Sequence, residues 1–119
     1  MNTAPLLSAA QEALGVPLTP APCRRPAPCA VYRLHPGTCD GTLETVRFVV
    51  RVFAPSHAEA YRASDSLRRT LTADGDGGVI GRGADAVVCV RSREGCTDGR
   101  SRATGDYYVQ SAFDCMTRA

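Results

Sequence analysis

The sequence predicts an α+β fold in which two helices accompany a mostly antiparallel, four-stranded sheet, in the chain order α-β-β-α-β-β. Three observations support this fold class. Residues 46–53 alternate in hydrophobicity, a helix-capping signature follows them directly, and two more strand-like stretches near the C-terminus are separated by Gly-rich segments. A chain of 119 residues has the length of one domain with one core. We therefore predict that residues 1–119 form a single domain.

A strand that leads directly into a helix is the central feature of this prediction. Successive side chains of a strand point to opposite faces, so residues 46–53 have one apolar face and one mixed face. The apolar face consists of Val46, Phe48, Val50 and Val52, and the mixed face of Arg47, Val49, Arg51 and Phe53. Pro55 ends the strand. Ser56 and Glu59 then have the spacing of a capping box, which predicts a helix from about His57.

The predicted helix has an apolar stripe at three- and four-residue spacing, which is typical of a helix packed on a sheet. The stripe consists of Ala60, Ser64, Leu67 and Leu71. The turn-forming residues Asp74 and Gly75 predict the end of this helix.

The N-terminal part predicts a short helix followed by an extended connector. Asn2 or Thr3 can cap the helix, Pro5 is favourable in its first turn, and Gly15 is suited to its C-terminal end. Residues 17–28 are rich in Pro and Ala. Because Pro cannot donate a backbone hydrogen bond, we predict that this connector crosses the surface and does not join the sheet interior.

A further strand precedes the central one. Cys29 to His35 are predicted to form it, and the loop 36–41 contains two glycines and suits a loose hairpin. These two strands are therefore expected to be antiparallel neighbours.

Two strands follow the second helix. Residues 74–83 are glycine-dense and predict a flexible loop, and Ala86 to Arg91 predict an interior strand because they are almost entirely apolar. Asp106 to Met116 alternate and predict the last strand. The segment 92–105 between these strands is too long for a tight turn and predicts a long hairpin loop.

Composition excludes several classes of function. A net charge of +2 is too small to favour nucleic acid or an anionic membrane as the main partner. All basic residues are arginine, but they are scattered along the chain, which indicates compositional bias and not a phosphate site. The sequence has no apolar run of the roughly 20 residues that span a membrane and no basic, apolar secretion signal. These features predict a cytoplasmic compartment.

Cysteine and histidine near the first strand suggest a zinc site, but the predicted geometry opposes it. The candidate ligands are Cys23, Cys29, His35 and Cys39. If Cys29 and His35 share one extended strand, they lie roughly 20 Å apart, whereas zinc ligands must all approach within about 2.0–2.3 Å. We therefore predict no metal site.

The six cysteines also permit disulfides, with Cys89 to Cys96 or Cys29 to Cys39 as local pairs. Connectivity cannot be derived from sequence. In a reducing compartment the expected state is free thiols, with Cys89 and Cys115 acting as small buried apolar residues in their strands.

Catalytic and cofactor motifs are weak. The only histidines are His35 and His57, and neither lies in a sequence typical of nucleophilic catalysis. Residues 74–85 match a calcium loop poorly because Asp85 stands where a bidentate Glu is needed. Their glycines follow a helix and lack the Gly-Lys-Ser/Thr of a phosphate loop. We predict no catalytic, cofactor or metal residues.

The elements in this order resemble the tail-terminator (tail-completion) proteins of long-tailed bacteriophages. The likeness rests on the short first helix, the Pro-rich lead into Pro28-Cys29-Ala30-Val31-Tyr32, the strand 46–53 ending in Ala54-Pro55-Ser56, the helix to Leu71, and two strands joined by a long hairpin. It spans nearly the whole chain. The six cysteines are not part of the family's pattern.

The resemblance implies a structural virion protein without enzymatic activity or cofactor. Members of the family form hexameric rings that cap the tail tube, stop its polymerisation and join the tail to the head-completion (stopper) protein. The implied partners are therefore copies of this chain, the tail tube protein and the stopper, with DNA passing through the lumen without sequence-specific contact and no membrane contact. The implied location is the tail or neck of the virion, after assembly in the host bacterial cytoplasm.

The resemblance also implies that the mixed face of the central strand and the long hairpin make ring and tube contacts. The residues expected there are Arg47, Arg51, Arg91, Arg93, Glu94, Arg100 and Arg102. Mixed charge with glycine is also typical of a solvated loop.

Two alternative functions remain open. One is a small cytoplasmic metal-binding or regulatory domain that uses its cysteines, for which bound metal or thiol-dependent activity would be the distinguishing property. The other is a different neck or connector adaptor of the virion.

Overall fold

The computed structural model describes residues 3–23, 25–39, 41, 43–73, 78–80, 87–93 and 97–118. The helices are α1 (Ala4–Leu14) and α2 (His57–Thr72), and the strands are β1 (Leu18–Pro20), β2 (Cys29–Cys39), β3 (Leu43–Ala54), β4 (Gly78–Ile80), β5 (Val87–Ser92), β6 (Thr97–Arg100) and β7 (Tyr107–Arg118). The strands form one sheet in the order β1-β2-β3-β7-β5-β4, and β6 also pairs with β7.

Strand β3 lies at the centre of the sheet. It pairs antiparallel with β2 on one side and with β7 on the other, and the pairing with β7 runs from Leu43 to Ala54. Val50, for example, lies between Tyr32 of β2 and Ser111 of β7. Its apolar face is buried as predicted, since Val46, Phe48, Val50 and Val52 are at most 6% exposed. Strand pairing on both sides and burial of one face together hold β3 in a single register.

Both helices pack on the apolar face of the sheet. The main core joins Leu6, Ala10 and Leu14 of α1 with Leu67 and Leu71 of α2 and with inward side chains of the strands. Within the sheet layer of this core, the Phe48 ring lies 6.0 Å from the ring of Tyr32 and 6.3 Å from that of Phe113. The fold is therefore a two-layer arrangement in which the other face of the sheet has no helix of the described residues over it. We call that second face the open face.

The helix ends follow from local sequence. The Ser56 hydroxyl accepts a hydrogen bond from the Glu59 backbone N–H, which confirms the Ser56 half of the predicted capping box. The Glu59 carboxylate accepts from the Ser56 hydroxyl. Gly15 ends α1 in the left-handed conformation, with a φ of 65°, which glycine adopts without steric cost. Helix α2 ends at Thr72 and is capped by Ala73, which has a φ of 53°. The residues predicted to end it, 74 and 75, lie outside the described residues.

The described residues contain seven strands, so the prediction of a four-stranded sheet was wrong in strand number. The order of the two helices and the four long strands is as predicted, and every pairing is antiparallel except that of β1 with β2. The three additional strands are short and lie in segments predicted to be connector or loop.

Each additional strand pairs with an exposed edge. Strand β1 lies within the Pro-rich connector at the rim of the sheet, where a proline is tolerated. Strand β4 forms the opposite rim beside β5. Strand β6 occupies the part of β7 that β5 leaves unpaired, because β5 pairs with residues 113–117 and β6 with residues 107–110. Backbone groups of the long strand β7 thereby find partners.

No helix among the described residues is long and apolar enough to cross a membrane.

Candidate functional site on the open sheet face

Arginines are concentrated on the open face. Strand pairing places Arg33 opposite Val49, and Arg91 opposite Asp114, on the face that also carries Arg47 and Arg51. The backbone of Arg93 continues along β7, since its N–H donates to the Ala112 carbonyl oxygen. Four of the predicted interface residues, Arg47, Arg51, Arg91 and Arg93, therefore meet on one surface.

Asp114 lies at the centre of this charge and joins two arginines. Its Oδ1 lies 3.6 Å from Arg47 Nε and its Oδ2 lies 3.1 Å from Arg93 Nη1. The three side chains are 33–47% exposed, so each pair stabilises the fold by only about 0–1 kcal/mol. The structural effect of Asp114 is to hold guanidinium groups from β3 and from the end of β5 side by side.

Arg51 is held by a neutral partner. Its Nε and Nη2 donate to Gln110 Oε1 at 3.1 and 2.8 Å, and its guanidinium carbon lies 4.5 Å from the centre of the Tyr108 ring. The Tyr108 ring in turn lies 6.0 Å from that of Phe53. Arg51 is thus fixed in orientation by two neutral groups, an amide and an aromatic ring, neither of which offsets the charge of the guanidinium.

A groove of about 430 Å³ crosses the open face beside these residues. Its apolar lining includes Val31, Val49 and Phe53, and Ala21 and Pro22 of the connector form one wall. Arg33, His35, Arg51 and Gln110 supply its polar lining. A second hollow of about 200 Å³ lies next to it, lined by His35, Pro36, Gly37, Thr45, Arg47 and Asp114. Apolar floor and cationic rim thus occur together on this face.

Residues 97–105 of the predicted long hairpin are held by strand pairing and by backbone hydrogen bonds. Its turn is closed by hydrogen bonds from Ser101 N–H to the Asp106 carbonyl oxygen and from Gly105 N–H to the Ser101 carbonyl oxygen. Arg100 Nε donates to the Gly105 carbonyl oxygen at 3.0 Å, and its guanidinium carbon lies 5.3 Å from the centre of the Tyr107 ring. Within the predicted long hairpin loop at 92–105, residues 97–100 form strand β6.

This hairpin is attached to the N-terminal part of α2. The Tyr61 hydroxyl donates to Asp98 Oδ2 at 2.9 Å, the His57 ring lies 4.4 Å from that of Tyr107, and His57 Nε2 lies 3.4 Å from the Gly99 carbonyl oxygen. Strand pairing of Arg100 with Tyr107 places Arg100 on the helix side. The structure thus separates Arg100 from the open-face arginines.

The remaining predicted interface residues are Arg102 and Glu94. Arg102 is exposed in the turn between β6 and β7, and Glu94 lies outside the described residues. The predicted set therefore divides into an open-face group and a hairpin group.

Cysteine geometry agrees with the argument against a zinc site. Cys29 and Cys39 begin and end the same strand, β2, so neither a shared metal nor a disulfide can join them. The described residues contain no group of three His, Cys, Asp or Glu side chains able to hold a metal ion. Cys23, Cys29, Cys39, Cys89 and Cys115 are free thiols; the suggested pair of Cys89 with Cys96 lies partly outside the described residues.

Cys115 is fully buried in the core, as predicted for a small apolar residue. Burial, with smaller effects from Asp114 and Cys89, raises the pKa of its thiol to about 12. Cys89 is only half-buried, so the prediction of burial was accurate for Cys115 alone.

Sequence reasoning missed several groups of this site. Arg33, His35 and Asp114 were not selected as interface residues, although alternation along β2 and β7 places them on the same face as Arg47 and Arg51. Strand periodicity combined with strand order could have found them. The wall at Ala21 and Pro22 had no comparable signal, because the connector has no periodicity.

The fold of this chain is also found in a virion component. A chain of the virion of a native gene transfer agent particle matches it with a TM-score of 0.64 and 13% sequence identity, over 92% of this chain and 84% of that chain. No protein-family model matches this sequence, and no curated protein matches it. At this level of identity the likeness establishes the fold.

Proposed function

We propose that this protein is a structural virion protein of the tail-terminator type. Copies of it form a hexameric ring that caps the tail tube, stops polymerisation of the tube and joins the tail to the head-completion complex. The observation that carries this proposal is the match to a gene transfer agent virion chain over nearly the full length of both proteins. The proposal also agrees with the resemblance found from the order of elements in the sequence.

The shape of the sheet supports ring formation. Its two rims are unlike, because β1 ends the sheet on one side with a parallel pairing and β4 ends it on the other with an antiparallel pairing. A closed ring needs head-to-tail contacts between two different patches of each subunit. Both rim strands are three residues long, and short edge strands oppose uncontrolled sheet extension.

The charged surfaces support contacts with other virion proteins. The open-face group, Arg47, Arg51, Arg91 and Arg93, presents positive charge on the open face. The hairpin group presents Arg102, which is exposed in the turn between β6 and β7. In this proposal one group faces the tube or the stopper and the other faces the neighbouring subunit, while DNA passes through the lumen without sequence readout.

The role is proposed as structural and not catalytic. His57 lies against Tyr107 and near the Gly99 carbonyl oxygen, which is a packing role at the start of α2. In the particle, the protein would occupy the tail or neck after assembly in the host bacterial cytoplasm.

A second candidate is a different neck or connector adaptor. The matching structure is described only as a virion, and adaptors of the neck also form rings. The metal-binding alternative is less well supported, because the cysteines of β2 lie at opposite ends of the strand.

Native mass spectrometry with and without reductant tests the proposal. We expect a metal-free hexamer, or a monomer that becomes a ring when the cognate tail tube protein is added. A monomer with stoichiometric zinc, or one that never assembles with tube protein, would contradict it.

A pair of variants tests the hairpin. R102E should weaken ring or tail assembly and leave the monomer folded, whereas R62E, an exposed change on α2, should assemble normally. R102E is preferable to R100E because Arg100 also closes the turn through Gly105. Normal assembly of R102E would remove the hairpin from the mechanism.

A further inference from the structure

We propose that the groove of the open face binds an extended, acidic segment of another virion protein. An apolar side chain of that segment lies on Val31, Val49 and Phe53, and its carboxylates lie against Arg33 and Arg51. The identity of the partner as a virion protein rests on the proposed function, whereas the surface is defined by this chain alone.

The floor of the groove is apolar although it lies on the face opposite the helices. Val31 and Val49 are half-buried and Phe53 is 7% exposed. Ala21 and Pro22 close one side, so the groove has a wall that a flat strand surface lacks. An apolar centre surrounded by polar groups is the usual organisation of a protein–protein contact.

The rim of the groove is positively charged. Arg33 and Arg51 line it directly. The carboxylate that strand pairing places on this face, Asp114, already contacts both Arg47 and Arg93. Arg51 is fixed by the neutral Gln110, so its charge remains available. Fixed guanidinium groups suit carboxylates because they donate two hydrogen bonds in one plane.

Charge complementarity favours a different protein over a second copy as the occupant. This chain has 14 basic and 12 acidic residues, so another copy offers no excess of negative charge. An acidic partner complements the rim.

Nucleic acid fits this surface less well. Duplex DNA binds a protein largely through its phosphates, which need basic side chains that are not already paired. Here Arg47 and Arg93 share a carboxylate, and the centre of the groove is apolar.

The test uses a fluorescein-labelled peptide in which four glutamates surround one phenylalanine. Binding to the full chain is followed by fluorescence anisotropy, and its position by backbone amide chemical shifts. We expect shifts at Val31, Val49 and Phe53. R33E, at an exposed position, should weaken binding at least about tenfold, and R62E should change it less than about twofold.

Matched probes keep the outcomes distinct. Peptides with Gln for every Glu, or Ser for Phe, should bind at least about tenfold more weakly. Equal binding of the Gln peptide, equal loss in R62E, or amide shifts confined to α2 would overturn the proposal. Tighter binding of a ten-nucleotide oligothymidylate would assign the face to nucleic acid. Self-association lost in R33E, without peptide binding, would assign it to a second copy.

Failure of this inference can be separated from failure of the proposed function. A ring in native mass spectrometry without peptide binding would overturn only the groove assignment. Peptide binding by a chain that never assembles would overturn only the ring.

Discussion

Replacing Val50 by Thr, and separately Val49 by Thr, tests which face of β3 is buried. Val50 is fully buried, whereas Val49 lies half-buried on the open face. Val and Thr have nearly the same shape and both favour strands, so the two changes differ only in where they place a hydroxyl group. At position 50 the hydroxyl enters the core beside Ser111, whose own hydroxyl is already paired with that of Ser64. At position 49 the hydroxyl can contact water.

The expected difference follows from the cost of burying a polar group. An unpaired hydroxyl in a core lowers the free energy of unfolding by about 1–3 kcal/mol, whereas an accessible one changes it by less than about 0.5 kcal/mol. With a urea dependence of about 1–3 kcal/mol/M, V50T should lower the midpoint of unfolding by roughly 1 M. V49T should leave the midpoint close to that of the original protein.

Urea titration followed by far-ultraviolet circular dichroism measures both variants. The slope of each transition should stay unchanged, which shows that the unfolded state is comparable. A larger loss in V49T than in V50T would refute the reasoning, because a shift of one residue in strand register exchanges the two faces.

Three further predictions concern buried and exposed polar groups. The buried Thr117 hydroxyl has no hydrogen-bond partner among the described residues, so T117V should raise the free energy of unfolding in urea by about 1 kcal/mol; a loss would reveal a partner. Iodoacetamide at pH 8, followed by peptide mass mapping, should modify exposed Cys23 and Cys39 quickly and buried Cys29 and Cys115 slowly; equal rates would contradict the burial. Burial raises the pKa of the Cys115 thiol from 9.0 to about 12. The stabilisation from burying the neutral thiol is therefore complete below pH 9, and between pH 9 and 12 the free energy of unfolding should fall by about 1.4 kcal/mol per pH unit. C115A, titrated in parallel, should lack this pH-dependent loss.

The sequence predicted correctly those features that depend only on residues close together in the chain. The capping box at Ser56 and the glycine end of α1 at Gly15 involve residues within a few positions of each other. Alternation in 46–53 predicted the buried face of β3 because side-chain direction in a strand depends only on residue parity. These features need no knowledge of distant residues.

Short strands were missed because their own sequences carry little signal. Strand β6 reads Thr-Asp-Gly-Arg, which is typical of a turn, and β1 contains a proline. Each is a strand because a longer neighbour offers unpaired backbone groups at that point. Whether such a neighbour exists depends on sheet order, which composition does not reveal.

The predicted interface residues lie on two separate surfaces, and this too depends on sheet order. Arg51 and Arg100 both occur among polar and apolar residues in the sequence. In the structure, Arg51 lies on the open face beside Gln110, and Arg100 lies on the helix side beside Tyr107. Only the pairing of each residue with β7, Arg51 with Gln110 and Arg100 with Tyr107, shows that the two side chains lie on opposite faces of the sheet. Asp114 gains its central position because β3 and β5 border β7 on opposite sides.

The sequence by itself determined the α+β class, the order of the helices and long strands, the helix caps and the two faces of β3. All of these follow from backbone preferences and side-chain periodicity over a few residues. The tertiary structure decided the sheet order, the short edge strands and the charged groove, because these depend on contacts such as that of Arg51 with Gln110, 59 positions apart. Burial of the apolar face against both helices fixes those distant registers, and with them the surface that remains open.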